Sequence, residues 1–399
     1  MPTQESSPQI VIRPETDGRS ERVDLILEGK SISRLWLNPF RLHIGEALVP
    51  MAGVGGVGTE EAHRNRGHSR RVLEAAVEHM KQSDAAISML YGIRDFYPKF
   101  GYATAGPDHL VLLTELDRDN VLPPGWSVRP FAAADFAAVQ ALYGGNTERS
   151  TGAALRGPDC AVWEHLLKSA TEQGDNECRV VIGPDHGVHG YLWRARWCWY
   201  VKHALEPEFK QALVLGEVVA DGPGAADAVL AAARIWAEGT VGRRKFKEVA
   251  LAFAPEGPLA AAAMRQDARF LRNYSACGGS MARVLSVPRL LEALRPELQA
   301  RLRDARSDFT GSLRLDTDMG AADLHIDARR ISISEGPSPN RNRLAVSLPQ
   351  TELARLALGA FPPADLLARL PEPPAKEAAS LLETLFPLRY PHMHLPDRY

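Results

Sequence analysis

The sequence predicts an α+β protein of three domains, and three observations carry that reading. A chain of 399 residues exceeds what one hydrophobic core of ordinary size can hold. Strand-like alternation gives way to helical spacing and then to a strand between Val23 and Leu90, and the same order recurs from Trp126 to Phe253. From about Pro288 a leucine-rich helix precedes short alternating segments, the pattern of helices packed on a small antiparallel sheet. The domains are expected at residues 1–108, 109–285 and 286–399.

The elements follow in order. Val23 to Leu37 alternates around Glu28-Gly29-Lys30, which reads as a hairpin, and a strand pair follows at Phe40 to Ile44 and Val49 to Val57. Between Arg66 and Gln82 the residues Val72, Leu73, Ala76, Val77 and Met80 fall on one helical face, and Ala85 to Leu90 is a short apolar strand. The second copy opens at Trp126, where Val128-Arg129-Pro130-Phe131 leads through Asp135 into a helix, and another helix runs near Asp159 to Thr171. Strands are expected at Cys178 to Ile182, Gly190 to Val201 and Ala212 to Val219, a helix at Ala225 to Ala237 and a strand at Glu248 to Phe253. The last domain has its helix at Leu290 to Leu302, strands near Phe309 to Leu315, Leu324 to Asp327, Arg330 to Ser334 and Leu344 to Leu348, and a helix at Ala375 to Leu385. Phe386 to Tyr399 contains three prolines and reads as an extended tail.

Bulk composition narrows the function. A formal net charge of -2 gives no overall attraction to nucleic acid or anionic lipid, so neither is an expected partner. No apolar run reaches membrane-spanning length, and Met1 to Pro8 lacks the basic and apolar regions of a signal peptide; a cytoplasmic protein is expected. Cys160, Cys178, Cys198 and Cys277 have no C-x-x-C spacing and read as reduced thiols. His186-x-x-His189 and His392-x-His394 lack a third ligand in pattern, so no metal is expected. Trp193, Trp197, Trp199 and Tyr200 alternate along an expected strand as sheet packing or a wall for an acceptor.

The chemistry concentrates between Gly53 and Tyr102. Arg64-x-x-Gly67-x-Ser69 stands at the start of the helix, directly after a glycine-rich strand. A helix start exposes unpaired N–H groups and the positive end of the dipole; Gly67 allows close approach, and Arg64, Arg66 and Arg70 add charge, which together suit a pyrophosphate. The small residues of Gly53-Val54-Gly55-Gly56-Val57-Gly58-Thr59 leave that strand's backbone open to a ligand lying alongside. Downstream stands Phe96-Tyr97-Pro98-Lys99-Phe100-Gly101-Tyr102.

These segments resemble the GNAT superfamily of acetyltransferases, whose acetyl-CoA motif is R/Q-x-x-G-x-G/A followed by an F-Y-x-x-x-G-[FY] element; Ser69 stands where Gly or Ala is usual. The chain is most similar to the Eis (enhanced intracellular survival) group, through A-G-V-x-x-V before H-R-x-R-G, total length, a second degenerate unit and a last domain like sterol carrier protein. The resemblance implies tandem GNAT-like mixed sheets flanked by helices, a sterol-carrier-protein-like C-terminal domain, and homo-oligomers, often hexamers. It implies acetyl-CoA as cosubstrate and a small-molecule or peptide amine as acceptor, of polyamine, lysine or aminoglycoside-like type. The second unit has Asp221-Gly222-Pro223-Gly224-Ala225 where the motif would fall, so it is expected to bind no CoA.

Carried over to this chain, the resemblance implies that main-chain groups of Val57, Gly58 and Thr59 contact the acetyl and pantetheine portion. Arg64 with Asn65, Arg66, Gly67, His68, Ser69 and Arg70 would hold the pyrophosphate, and Gly92 and Ile93 would border the cofactor. Tyr97 corresponds to the general acid for the CoA thiolate, with Tyr102 as runner-up, and the carboxylate of Tyr399 to the general base. Core packing competes for both inner tyrosines, and a frayed end for Tyr399.

One departure bears on activity. Only Glu15 to Arg22 separates the first strand, Ile10 to Pro14, from the next, where a full GNAT unit places two helices that wall the acceptor pocket. A CoA-sensing or ligand-carrying protein on the same fold therefore stands as the alternative to a transferase.

Overall fold

The computed structural model describes residues 7–114, 116, 120–171, 177–239, 246–276, 279–336 and 343–399; the Met1–Ser6 start and Cys277 lie outside them. The architecture is mixed α+β with several sheets. It divides into two compact units: Met1–Gly106 with Tyr274–Arg389 and Tyr399, and Pro107–Asn273 with Tyr390–Arg398.

In the first unit β1 (Gln9–Pro14), β2 (Glu21–Leu27), β3 (Lys30–Ile44) and β4 (Ala47–Thr59) form an antiparallel run. Glu28 and Gly29 both have positive φ, 50° and 76°, as a two-residue hairpin turn requires. β1 leads straight into β2: Asp17 accepts hydrogen bonds from the N–H groups of Arg19 and Ser20 and closes the loop without a helix. The expected separate strand pair is absorbed into the full length of β3 and β4, which stay paired from Ser33–Thr59 to Ile44–Ala47.

Helix α1 (His68–Gln82) follows, and its buried residues Val72, Leu73, Ala76, Val77 and Met80 pack with Val23, Leu25, Leu35, Ala52 and Val54. β5 (Ile87–Gly92) pairs parallel with β4, as a strand after a crossover helix must. The strand Gly279–Val284, which the sequence groups with the middle segment, lies between β5 and the short β6 (Ala103–Thr104) in this sheet. The same unit holds the helix Val287–Asp304 and a four-stranded sheet in the order Arg330–Ser334, Gly320–Asp327, Gly311–Thr317, Arg343–Ser347.

In the second unit the helices Phe136–Thr147 and Ala161–Thr171 do stand between the strands Ser127–Pro130 and Cys178–Ile182. Strands Val188–Trp193 and Glu217–Ala220 complete one sheet with them, and Ala212–Leu215, Glu248–Leu251, Asp108–Leu113 and Arg269–Asn273 form another. The helix Pro223–Glu238 buries its alanine-rich face, Ala225 to Ala237, on the core.

Two expectations are corrected here and a third is sharpened. The strand expected at Gly190 to Val201 ends at Trp193, because Ala195 takes a positive φ of 53° and turns the chain; Trp197 then stacks on His165 at 3.9 Å, and Trp199 is 69% exposed. The expected strand Ala212 to Val219 is two strands in different sheets, broken at Gly216. The tail, expected to be extended, has no strand or helix at 387–394, and it is packed: Phe386, Met393, Leu395 and Asp397 are buried, and Leu395–Asp397 forms a 3-10 turn.

Candidate active site

The site of the first unit begins where β4 and β5 part. Their parallel register runs from Met51–Ile87 to Val54–Leu90 and stops, so on that side Gly55 to Thr59 has no strand partner among the described residues. On its other side β4 carries a bulge against β3, since Gly55 faces Trp36 and Gly58 faces Arg34. Gly56 sits in the bulge with φ 59° and its α-carbon against the Trp36 ring, a place where any side chain would clash. The backbone of Val57, Gly58 and Thr59 therefore borders an opening between two splayed strands. Ser33 ties this end down, its hydroxyl 3.1 Å from Gly58 O and 2.9 Å from Thr59 Oγ1.

The start of α1 lies along the chain from that edge. Asn65 and Gly67 have positive φ, 60° and 77°, and Gly67 caps the helix with no side-chain bond. The first intrahelical bond is Arg71 N–H to Gly67 O at 3.2 Å, which leaves the N–H groups of His68, Ser69 and Arg70 without helical acceptors. A Cβ on Gly67 would meet nothing within 4 Å, so the space above it is open. Arg64 donates through Nε to Thr59 O at 3.2 Å, while Arg66 and Arg70 are exposed. His63 and His68 lie 6.2 Å apart, and burial, followed by the charges of His63, Arg71 and Arg66, lowers the pKa of His68.

Parity along the two strands places the tyrosines. Val54 and Leu90 join α1 in one cluster, and Tyr97 belongs to it, its ring occupying the space over Gly92. Gly53 and Gly55 point the other way, and the space over them holds Tyr399. The Tyr399 ring also meets Phe40 at 5.1 Å and Tyr91 at 6.0 Å, and its hydroxyl is 3.9 Å from Met51 Sδ. Tyr97 and Tyr399 thus stand at the parting strands from opposite faces of the sheet. Ile93, at the end of β5, is 49% exposed.

Tyr102 has a different role. Ser88 gives its single proton to Ala52 O at 2.8 Å, so the Tyr102 hydroxyl, 2.7 Å from Ser88 Oγ, must be the donor of that bond. Burial pushes its pKa up to about 12. Its proton is committed to the core.

Sequence reasoning missed Phe40, Tyr91 and Asn38 around Tyr399; Asn38 pairs with Gly53 and Phe40 follows two residues on, so the pairing of β3 with β4 would have found both. It also missed the second unit's buried charges. Arg156, with a side chain 2% exposed, donates to Asp397 at 2.8 and 2.9 Å and to Glu217 at 3.0 Å, and lies 3.8 Å from the Tyr143 ring. Nothing in the local sequence separates this arginine from a surface one. His189, for which no metal role is expected, sits between Asp185 and Asp221. Among the described residues no group of three or more His, Cys, Asp or Glu is placed to hold a metal ion, and no helix is long and apolar enough to cross a membrane.

Comparison with known proteins fits this geometry. Solved structures similar to the chain include a GCN5-related N-acetyltransferase from Kribbella flavida, 20% identical, covering 96% of this chain and 88% of that one with a TM-score of 0.67. Another, from Anabaena variabilis, is 18% identical over 95% and 89% with a TM-score of 0.68. Eis1 from Mycobacterium abscessus is 16% identical over 95% and 91% with a TM-score of 0.62. At such identities the likeness is one of fold. No curated protein matches the chain. Residues 18–105 match the family described as acetyltransferase (GNAT) domain, the stretch that contains β4, the start of α1 and Tyr97. Residues 18–105 thus match a GNAT acetyltransferase domain, and the solved structures that the chain resembles in fold are named N-acetyltransferases.

Proposed function

We propose that the first unit binds acetyl-CoA and transfers its acetyl group directly to an amine. The observation that carries this is the uncapped, arginine-bordered start of α1 beside the parting of β4 and β5. In this reading the loop Arg64 to Arg70 holds the pyrophosphate, Val57 to Thr59 meet the acetyl and pantetheine portion, and Gly92 and Ile93 border it. The amine nitrogen attacks the thioester carbonyl carbon, a C–N bond forms and the C–S bond breaks. The amine proton passes to the Tyr399 carboxylate, directly or through water, and the Tyr97 hydroxyl gives its proton to the departing sulfur. A carboxylate is a weak base in water, so in this reading it acts through desolvation or a water relay.

The acceptor class, polyamine, lysine or aminoglycoside-like, rests on likeness to the Eis group. So do assignment of 286–399 to a sterol-carrier-protein-like domain and homo-oligomeric assembly, while the division at 1–108 and 109–285 rests on the repeated order of elements and a cytoplasmic setting on the sequence pattern alone. A non-catalytic CoA-binding role is favoured by one observation, the direct passage from β1 to β2 where helices would wall an acceptor pocket. Thiol release from acetyl-CoA against spermidine, an Nα-blocked lysine and tobramycin decides between them. Release with one of these acceptors is expected; binding of acetyl-CoA without turnover on a wider amine panel would leave the sensing role.

A further inference from the structure

Glycine in a strand weakens it unless something needs the space. Gly53 and Gly55 lie in β4, and neither has a positive φ, so their backbone would accept any residue. What excludes a side chain is the last residue of this chain. A Cβ on Gly53 would stand 2.5 Å from Tyr399 Cζ and 2.6 and 2.8 Å from its Cε atoms. A Cβ on Gly55 would stand 3.1 Å from the Tyr399 carboxyl carbon and 3.4 Å from both Tyr399 Cδ2 and Asn38 Nδ2. Gly56 and Gly67, by contrast, hold positive φ and serve the backbone itself.

We propose that Gly53 and Gly55 are positioning residues: together they form a seat on β4 that fixes the ring and the carboxyl group of Tyr399. The ring lies flat enough on the bare strand to be held between Phe40 and Tyr91, and the carboxyl group is brought down over Gly55 beside the Asn38 amide. Asn38 is itself held by Ser20, 3.1 Å away. The catalytic consequence rests on the reading of Tyr399 as the base, whereas the seat does not depend on it. A misplacement of about 1 Å in a reacting group can lower turnover about 10²-fold, so the seat matters at the scale of one methyl group.

The seat can be tested with the full-length enzyme and two readouts. Carboxypeptidase A should release tyrosine slowly from the parent chain and much faster from Gly53→Val, whose side chain displaces the ring. With acetyl-CoA and an acceptor that supports thiol release, Gly53→Val should lower kcat about 10²-fold, with acetyl-CoA affinity hardly changed. Adding Tyr399→Ala to Gly53→Val removes the clashing ring but keeps a terminal carboxylate, and should recover part of the lost kcat. Gly53→Ala, a smaller change, should give an intermediate rate of tyrosine release if Gly53→Val folds poorly. Unchanged tyrosine release in both Gly53 variants overturns the seat. Faster release with unchanged kcat leaves the seat standing and overturns Tyr399 as base.

Discussion

The two units each begin a long helix after a glycine of positive φ, in different backbone conformations, and set different charge beside it. Gly67 precedes α1 with φ 77°, and Gly222 precedes the helix Pro223–Glu238 with φ 118°; neither start has a side-chain cap, and a Cβ on either glycine would meet open space. Around Gly67 stand Arg64, Arg66, Arg70 and Arg71. Beside Gly222 stands Asp221, paired with His189 at 2.9 Å, and Pro223 removes one N–H from the first turn. Open backbone at a helix start is therefore permissive, and it is the side chains that decide whether an anion is welcome.

The largest effect expected from breaking this contrast is at Gly67. In Gly67→Val a β-branched residue is forced to positive φ in the path of the pyrophosphate, and calorimetry should pass from one acetyl-CoA site per chain to none. Retained affinity in a folded variant would remove the basis for placing the cofactor there.

Tyr97→Phe should separate chemistry from binding. The ring still fills the space over Gly92 while the proton is gone, so turnover should fall about 10²-fold or more with acetyl-CoA affinity kept. A normal rate would return Tyr97 to the core alongside Tyr102. A smaller effect is expected at Arg66, an exposed cation: Arg66→Gln should weaken acetyl-CoA binding about tenfold, the scale of one charge-assisted contact, and less at high salt. Asp221→Asn, at the corresponding place in the second unit, should leave the titration unchanged.

The units differ again in stability. Burial lowers His109 to about 4, with Arg272 adding to the shift; burial and then His394 lower His392 well below its usual value, and His394 is lowered too, chiefly by burial. All three belong to the second unit. A histidine with a depressed folded pKa stabilises fully above its unfolded value near 6.5, and that stability is lost as pH falls toward the folded value. Between pH 6.5 and 4 each histidine kept neutral should lower unfolding free energy by up to about 1.4 kcal/mol per pH unit. Glu217 acts lower: burial raises its pKa, but Arg156 and then His394 outweigh that and depress it, so its contribution disappears only as pH falls below its ordinary value of 4.5. Hydrogen exchange at pH 7.5 and 5.5 should show loss of protection concentrated in the second unit, first at Asp108–Leu113, which carries His109. Equal loss in β2 to β4 would contradict the assignment.

Local chemistry explains what was legible in the sequence. The face of α1, the Glu28-Gly29 turn, the direct passage from β1 to β2 and the repeated order of elements depend on residues a few positions apart, and periodicity or a required φ exposes them. The segment Arg64 to Arg70 could be read as an anion site because a helix start needs no distant partner. Tertiary structure alone decided the rest. Whether Gly53 bares the strand to a ligand or seats Tyr399, whether Arg156 is solvated or buried against Glu217 and Asp397, and which sheet receives Gly279–Val284 or splits Ala212 to Ala220 all turn on partners far away in the chain. Such pairings leave no local period or conformational demand in the sequence, because a glycine, an arginine or a short apolar strand is written the same way whichever distant surface it meets.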